Sequence, residues 1–138
     1  MSPQRNPDMA ESALDLVVEA VCRLPIDYRQ FGIYSIVELI RRSGFELERA
    51  QVTAERIRLC LAEHPDWVDE WVRFSGDTRG TPAWYIEPTR DRRWEVGLYD
   101  GKDPQHVTIF PDRISACVEY VHRTITMLVD RPRQPLPE

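Results

Sequence analysis

The chain has 138 residues, enough for one domain whose core needs neither a metal nor a disulfide to hold it. Its hydrophobic fraction of 42% and charged fraction of 30% are those of an ordinary soluble globule, and no stretch approaches the ~18–20 apolar residues of a membrane span. A net charge of −5 argues against nucleic acid as the partner, because affinity for phosphate comes mainly from cations; it suits a basic partner, though a mild acidic excess is common without one.

Residues 1–8 and 131–138 carry prolines and little apolar material, and read as frayed tails of a single domain spanning 1–138. The opening MSPQRNPDMAES lacks the cationic region and apolar run of a secretion signal, so a cytoplasmic location is expected. Leu14, Val17, Val18 and Val21 recur at helical spacing and predict a helix over about 9–24, which Pro25 stops. A connector with Tyr28, Phe31 and Gly32 follows. Ile33, Ile36, Val37 and Ile40 predict a second helix over about 34–43, with Gly44 as its stop. Thr53 is the expected N-cap of a third helix, about 54–64, that turns Ile57 and Leu61 inward. Pro65 opens a fourth over about 66–74, where Trp67 and Val68 repeat four residues later as Trp71 and Val72. A strand is the competing reading, but its alternation is poor here because Trp67 and Val68 are adjacent, as are Trp71 and Val72, so a helix is favoured.

At Gly76-Asp77-Thr78-Arg79-Gly80 the period changes from helical to strand-like. Residues 83–87, 94–99 and 106–110 are rich in aromatic and β-branched side chains and predict a three-stranded antiparallel meander. Ile114, Cys117, Val118, Val121, Ile125 and Leu128 then give a long stripe on a final helix, about 112–129, that covers one face of the sheet. Helices, then a meander, then a covering helix make an α+β fold.

Catalytic machinery is not legible. Cys22, Cys60 and Cys117 are scattered through apolar helical patterns and read as free thiols rather than a disulfide framework or zinc site. His64, His106 and His122 pair with no other ligand at metal spacing. Glycine-rich phosphate loops and nucleophile elbows are absent from the sequence. Asp69 and Glu70 are adjacent and point different ways on a helix, so they do not form an acid–base pair. The expectation is a protein with no catalytic residue, no metal and no cofactor.

The segment 63–77 sets Glu63, Asp66, Asp69, Glu70 and Asp77 against Arg73 alone, with Trp67 and Trp71 among the charges. One reading is a docking surface, with rings as anchors and carboxylates steering a basic partner. The other is a solvated acidic face above two core tryptophans. Trp84 and Tyr85 are adjacent in a strand, so they face opposite sides and one of them is expected to be exposed. The partner-binding set expected is therefore Asp66, Trp67, Asp69, Glu70, Trp71, Asp77, Trp84 and Tyr85. An alternative is a winged-helix DNA binder, with Ile36–Arg42 and Thr53–Glu63 as the helix pair and the first two strands as wing. Arg49, Arg56 and Arg58 favour it; Glu46, Glu48, Glu55 and Glu63 in the same region oppose it. A third reading is a homodimer formed through the exposed edge of the meander.

The run DEWVRFSGDTRGTPAWYIE, followed by RWEVGLYDG and VTIFPDRISACVEYVHRTI, resembles a recurring bacterial pattern. In it an aromatic helix leads through a Ser-x-Asp-x-Arg turn to a Trp-Tyr strand, a Trp-x-Val-x-x-Tyr strand and a Phe-x-Asp … Ala-Cys helix. Such chains are similar to small cytoplasmic immunity proteins that block polymorphic or secreted interbacterial toxins. The resemblance covers roughly residues 66–126. It implies a non-enzymatic inhibitor of one cognate toxin that acts in the cytoplasm, and it carries over no individual binding residue.

Overall fold

The computed structural model describes residues 7–30, 35–77 and 82–130. The chain runs through α1 (Pro7–Cys22), α2 (Leu24–Gln30), α3 (Ile36–Ser43), α4 (Phe45–Glu48), a 3-10 turn (Arg49–Gln51), α5 (Ala54–Glu63) and α6 (Pro65–Asp77). It continues as β1 (Ala83–Pro88), β2 (Trp94–Tyr99), β3 (Pro104–Phe110) and α7 (Arg113–Asp130). The expected α+β class and the covering C-terminal helix are present. No helix among the described residues is long and apolar enough to cross a membrane.

Local chemistry sets the helix ends. Ser35 accepts the Glu38 N–H at 3.1 Å, and with Glu38 three residues on it forms the Ser-x-x-Glu pattern of a capping box at α3. Gly44 ends α3 at φ +85°, a left-handed conformation that a Cβ disfavours, and its N–H bonds the Arg41 carbonyl. Thr53 caps α5 as expected, accepting the Arg56 N–H at 3.3 Å. The expected connector after Pro25 is instead the short helix α2: Pro25 falls in its first turn, where a missing N–H breaks no intrahelical bond. Segment 45–51, given no structure from sequence, forms α4 and the 3-10 turn; Phe45 at its start and Val52 just after its end are buried. Helix α6 runs past the expected stop, through Ser75 and Gly76 to Asp77. Pro7 and Asp8 are helical rather than tail; residues 1–6 and 131–138, Phe31, Gly32 and Thr78–Gly80 lie outside the described residues.

The sheet has the order β1-β2-β3, antiparallel throughout. Trp84, Ile86, Trp94, Val96, Leu98 and Phe110 share the face covered by α7. Helix α7 is the central element, packed against α3, α5, α6 and all three strands, and it buries Ala116, Cys117, Val118, Tyr120, Val121 and Ile125. Its stripe is wide because it meets helices on one side and the sheet on the other.

The two sheet edges are treated differently. At β1 the Ser75 hydroxyl accepts the Ile86 N–H at 2.9 Å and donates to the Ile86 carbonyl at 3.4 Å, so α6 occupies that edge. This gives Ser75 a role that the shorter predicted helix left unassigned. Strand β3 forms the other edge and is exposed from Pro104 to Ile109. Between Val96 and Leu98 the pairing shifts, so that His106 and Val107 together oppose Gly97. His106 takes up the extra residue at φ +52°, the left-handed geometry of a β-bulge.

Candidate functional site

The tryptophans of α6 are core residues, which corrects the expectation that they anchor a partner. Trp71 is 1% exposed. Its indole Nε1–H donates to the Cys22 carbonyl at 2.7 Å, and its ring meets Tyr120 and Phe74 edge-on at 5.9 and 5.7 Å. Cys22 is the last residue of α1, and helix-end carbonyls lack an intrahelical donor. Trp71 therefore supplies from α6 the donor that the end of α1 needs. Trp67, 8% exposed, stacks on His64 at 3.7 Å and 6°, with the Arg23 guanidinium over its ring at 5.8 Å.

The carboxylates beside them are engaged within the fold. Glu70 pairs with Arg29 at 3.0 Å, and Asp69 pairs with Arg113 at the start of α7. Asp66 is exposed, and Asp77 closes the helix. The 66–77 segment is thus the joint between the helical half and the sheet. Trp84 lies on the covered face of the sheet, under the Arg123 guanidinium at 5.3 Å. Of the expected binding set, Tyr85 alone projects onto the sheet's open side.

That open side is the strongest candidate for a site. Residues directly opposite in an antiparallel ladder share a face. The pairs Ala83 with Tyr99, Tyr85 with Gly97, and Glu87 with Glu95 and Ile109 therefore define one face, and Val107 joins it by alternation. Tyr99, Val107 and Ile109 are 41%, 44% and 39% exposed, large values for apolar and aromatic side chains. Tyr85 crosses Gly97 so closely that a Cβ there would lie 2.6 Å from the Tyr85 Oη and 2.8 Å from its Cζ. The Tyr85 hydroxyl donates to Glu95 Oε2 at 2.6 Å. Burial, followed by that bond and the nearby charge of Glu87, pushes the hydroxyl well above the ordinary tyrosine range.

Glu87 and Glu95 stand directly opposite each other across the β1–β2 ladder. Like charges in that position repel. The Tyr85 hydroxyl stabilises one of them, and a cation approaching from outside would relieve both. The face thus combines an apolar and aromatic strip along β2–β3 with two carboxylates along β1–β2. Glu87, Glu95, Tyr99, Val107 and Ile109 were not picked out from sequence. The alternation of Glu95, Gly97 and Tyr99 was visible, but the bulge at His106 that sets the facing of Val107 and Ile109 has no local sequence cue.

The arginines of the winged-helix reading face carboxylates or a hydroxyl. Arg56 lies 3.8 Å from Asp15 and 3.9 Å from Glu11, Arg58 donates to the Ser115 hydroxyl at 2.9 Å, and Arg49 bonds both Asp130 oxygens at 2.6 Å. Helix α6 also separates α5 from the first strand. Among the described residues no group of three or more His, Cys, Asp and Glu side chains is placed to hold a metal ion. None of the family models, curated proteins or solved structures compared with the chain matches it.

Proposed function

We propose that the chain works by binding a basic protein on the open face of its sheet, as a non-catalytic inhibitor of the immunity type. The observation that carries this reading is the face itself: exposed Tyr99, Val107 and Ile109 beside the opposed carboxylates Glu87 and Glu95. Exposed rings and branched side chains supply the water-excluding centre of an interface. Carboxylates next to them favour a partner that brings arginine or lysine, and they speed its approach. The edge of β3 adjoins the same face and extends the surface on offer. The inhibitor part of the proposal rests on the resemblance of residues 66–126 to immunity proteins, with the docking surface moved from α6 to the sheet. The intramolecular pairing of Arg49, Arg56 and Arg58 makes DNA binding the weaker alternative.

The test is affinity capture from the native source, with the wild-type chain and an Ile109→Asp variant run side by side. The expected result is a basic protein retained by the wild type and lost from the variant. Expressed alone, that protein should arrest growth, and co-expression of the wild-type chain should restore it. A protein retained equally by both baits, or one harmless when expressed alone, would overturn the proposal.

A further inference from the structure

Ser75 fixes which way the backbone groups of the whole sheet point. Its hydroxyl takes both the N–H and the carbonyl of Ile86, so Ile86 turns away from β2. In an antiparallel ladder such rungs alternate with hydrogen-bonded ones. Glu87 and Glu95 therefore form a bonded rung, and the Thr89 N–H donates to the Arg93 carbonyl at 2.8 Å on the next bonded rung. With its backbone groups turned to β1, Glu95 leaves Ile109, directly opposite on β3, with N–H and carbonyl facing the outer edge. Val107 faces the same way by alternation. Among the described residues no strand lies beyond β3.

Edge strands are commonly blunted by charge, proline or a bulge. Pro104 and the bulge at His106 blunt the start of β3. The rest stays open, and Gln105–Phe110 holds no Asp, Glu, Lys or Arg in a chain with 23 acidic and 18 basic residues. We propose that a second copy of this chain adds to the edge, the two β3 strands pairing antiparallel about a two-fold axis at Thr108.

The free groups are self-complementary in that register. Val107 of one copy exchanges N–H···O=C bonds with Ile109 of the other, and the axis repeats the exchange, while Thr108 meets its counterpart on a rung without hydrogen bonds. On the open face Val107 and Ile109 of both copies close into one apolar cluster, which accounts for their exposure in the single chain. Charge agrees. Each copy carries −5, so the contact must form where carboxylates are few. The two Glu95 side chains would stand three strand spacings apart, about 14 Å, beyond the ~8–10 Å screening length at physiological salt. The antiparallel run also brings Lys102 and Asp103 before one β3 toward Asp112 and Arg113 past the end of the other, with both signs of charge on each side. The pairing uses the edge of the sheet, so it does not depend on the partner proposed for the open face.

So short a ladder makes a small, reversible interface. The experiment follows the mass of the full chain by sedimentation equilibrium from about 10 μM to 1 mM. The expected result is a monomer that becomes a dimer over this range, with the Val107 and Ile109 amides exchanging hydrogen at least about tenfold more slowly at the high end. A Val107→Lys, Ile109→Lys double variant should stay monomeric and keep the wild-type circular dichroism. Thr108→Cys should form an intermolecular disulfide under mild oxidation, because facing Cα atoms on such a rung lie about 4.5 Å apart. Val107→Cys, set two residues off its counterpart, and the wild-type chain should not. A wild-type monomer at about 1 mM would overturn the proposal. A dimer untouched by the double lysine variant, or Val107→Cys linking as fast as Thr108→Cys, would overturn it as well.

Discussion

Replacing Trp71 with Ala is expected to cost about 3–5 kcal/mol, the range for removing a fully buried aromatic side chain and leaving a cavity. That is a large share of the ~5–15 kcal/mol that holds a typical domain together. Trp71 touches the α1 terminus, Tyr120 on the central helix α7 and Phe74 in its own helix, so its loss loosens three contacts at once. Trp71→Phe separates volume from hydrogen bonding. It keeps most of the ring but leaves the Cys22 carbonyl without its donor, for an expected loss of about 1–3 kcal/mol. Urea unfolding followed by circular dichroism measures both. An alanine variant as stable as the wild type would mean that Trp71 is not at the structural joint.

Gly97→Val is expected to displace Tyr85. A Cβ at this position meets the outer half of the Tyr85 ring within 2.6–2.9 Å, closer than any real contact tolerates. The ring is the far end of a rotatable side chain, so it swings aside rather than forcing the strands apart. The expected loss in stability is about 1–3 kcal/mol, as for overpacking elsewhere. Valine's strand preference offsets only part of it. The displaced hydroxyl leaves Glu95, and its pKa falls back toward the ordinary tyrosine range. Alkaline absorbance titration reads this directly: one more tyrosine than in the wild type should ionise in the ordinary range. An unchanged titration curve would show that Tyr85 does not lie across Gly97.

Most of the architecture was legible because it depends on periodicity. The stripe from Ile114 to Leu128 and the alternation in Trp94–Tyr99 each allowed one structure, and both formed. Helices α2 and α4 were missed because they are too short to show a full apolar repeat. The end of α6 was placed early because Ser75 and Gly76 resemble a stop signal, yet Ser75 stays helical to hold the edge of β1. The site was less legible. Tryptophans among carboxylates look the same in sequence whether the rings are displayed or buried, and what decides is a partner far along the chain. For Trp71 that partner is the carbonyl at the end of α1. The open face suffered the opposite difficulty: its residues come from three strands, and one bulge at His106 sets their alignment. Neighbouring residues encode helices and strands well, whereas a surface assembled across strands depends on register.

The most direct test of the docking claim is an affinity comparison by titration calorimetry against the captured basic partner. One variant changes the open face (Tyr99→Ala with Ile109→Asp), and the other reverses exposed charge on α6 (Asp66→Lys with Asp69→Lys). If the partner docks on the sheet, the first variant should lose about 100-fold or more in affinity while staying folded. The second should lose only a few-fold, through slower association. The reverse order, with the α6 variant abolishing binding and the sheet variant binding like wild type, would contradict the assignment.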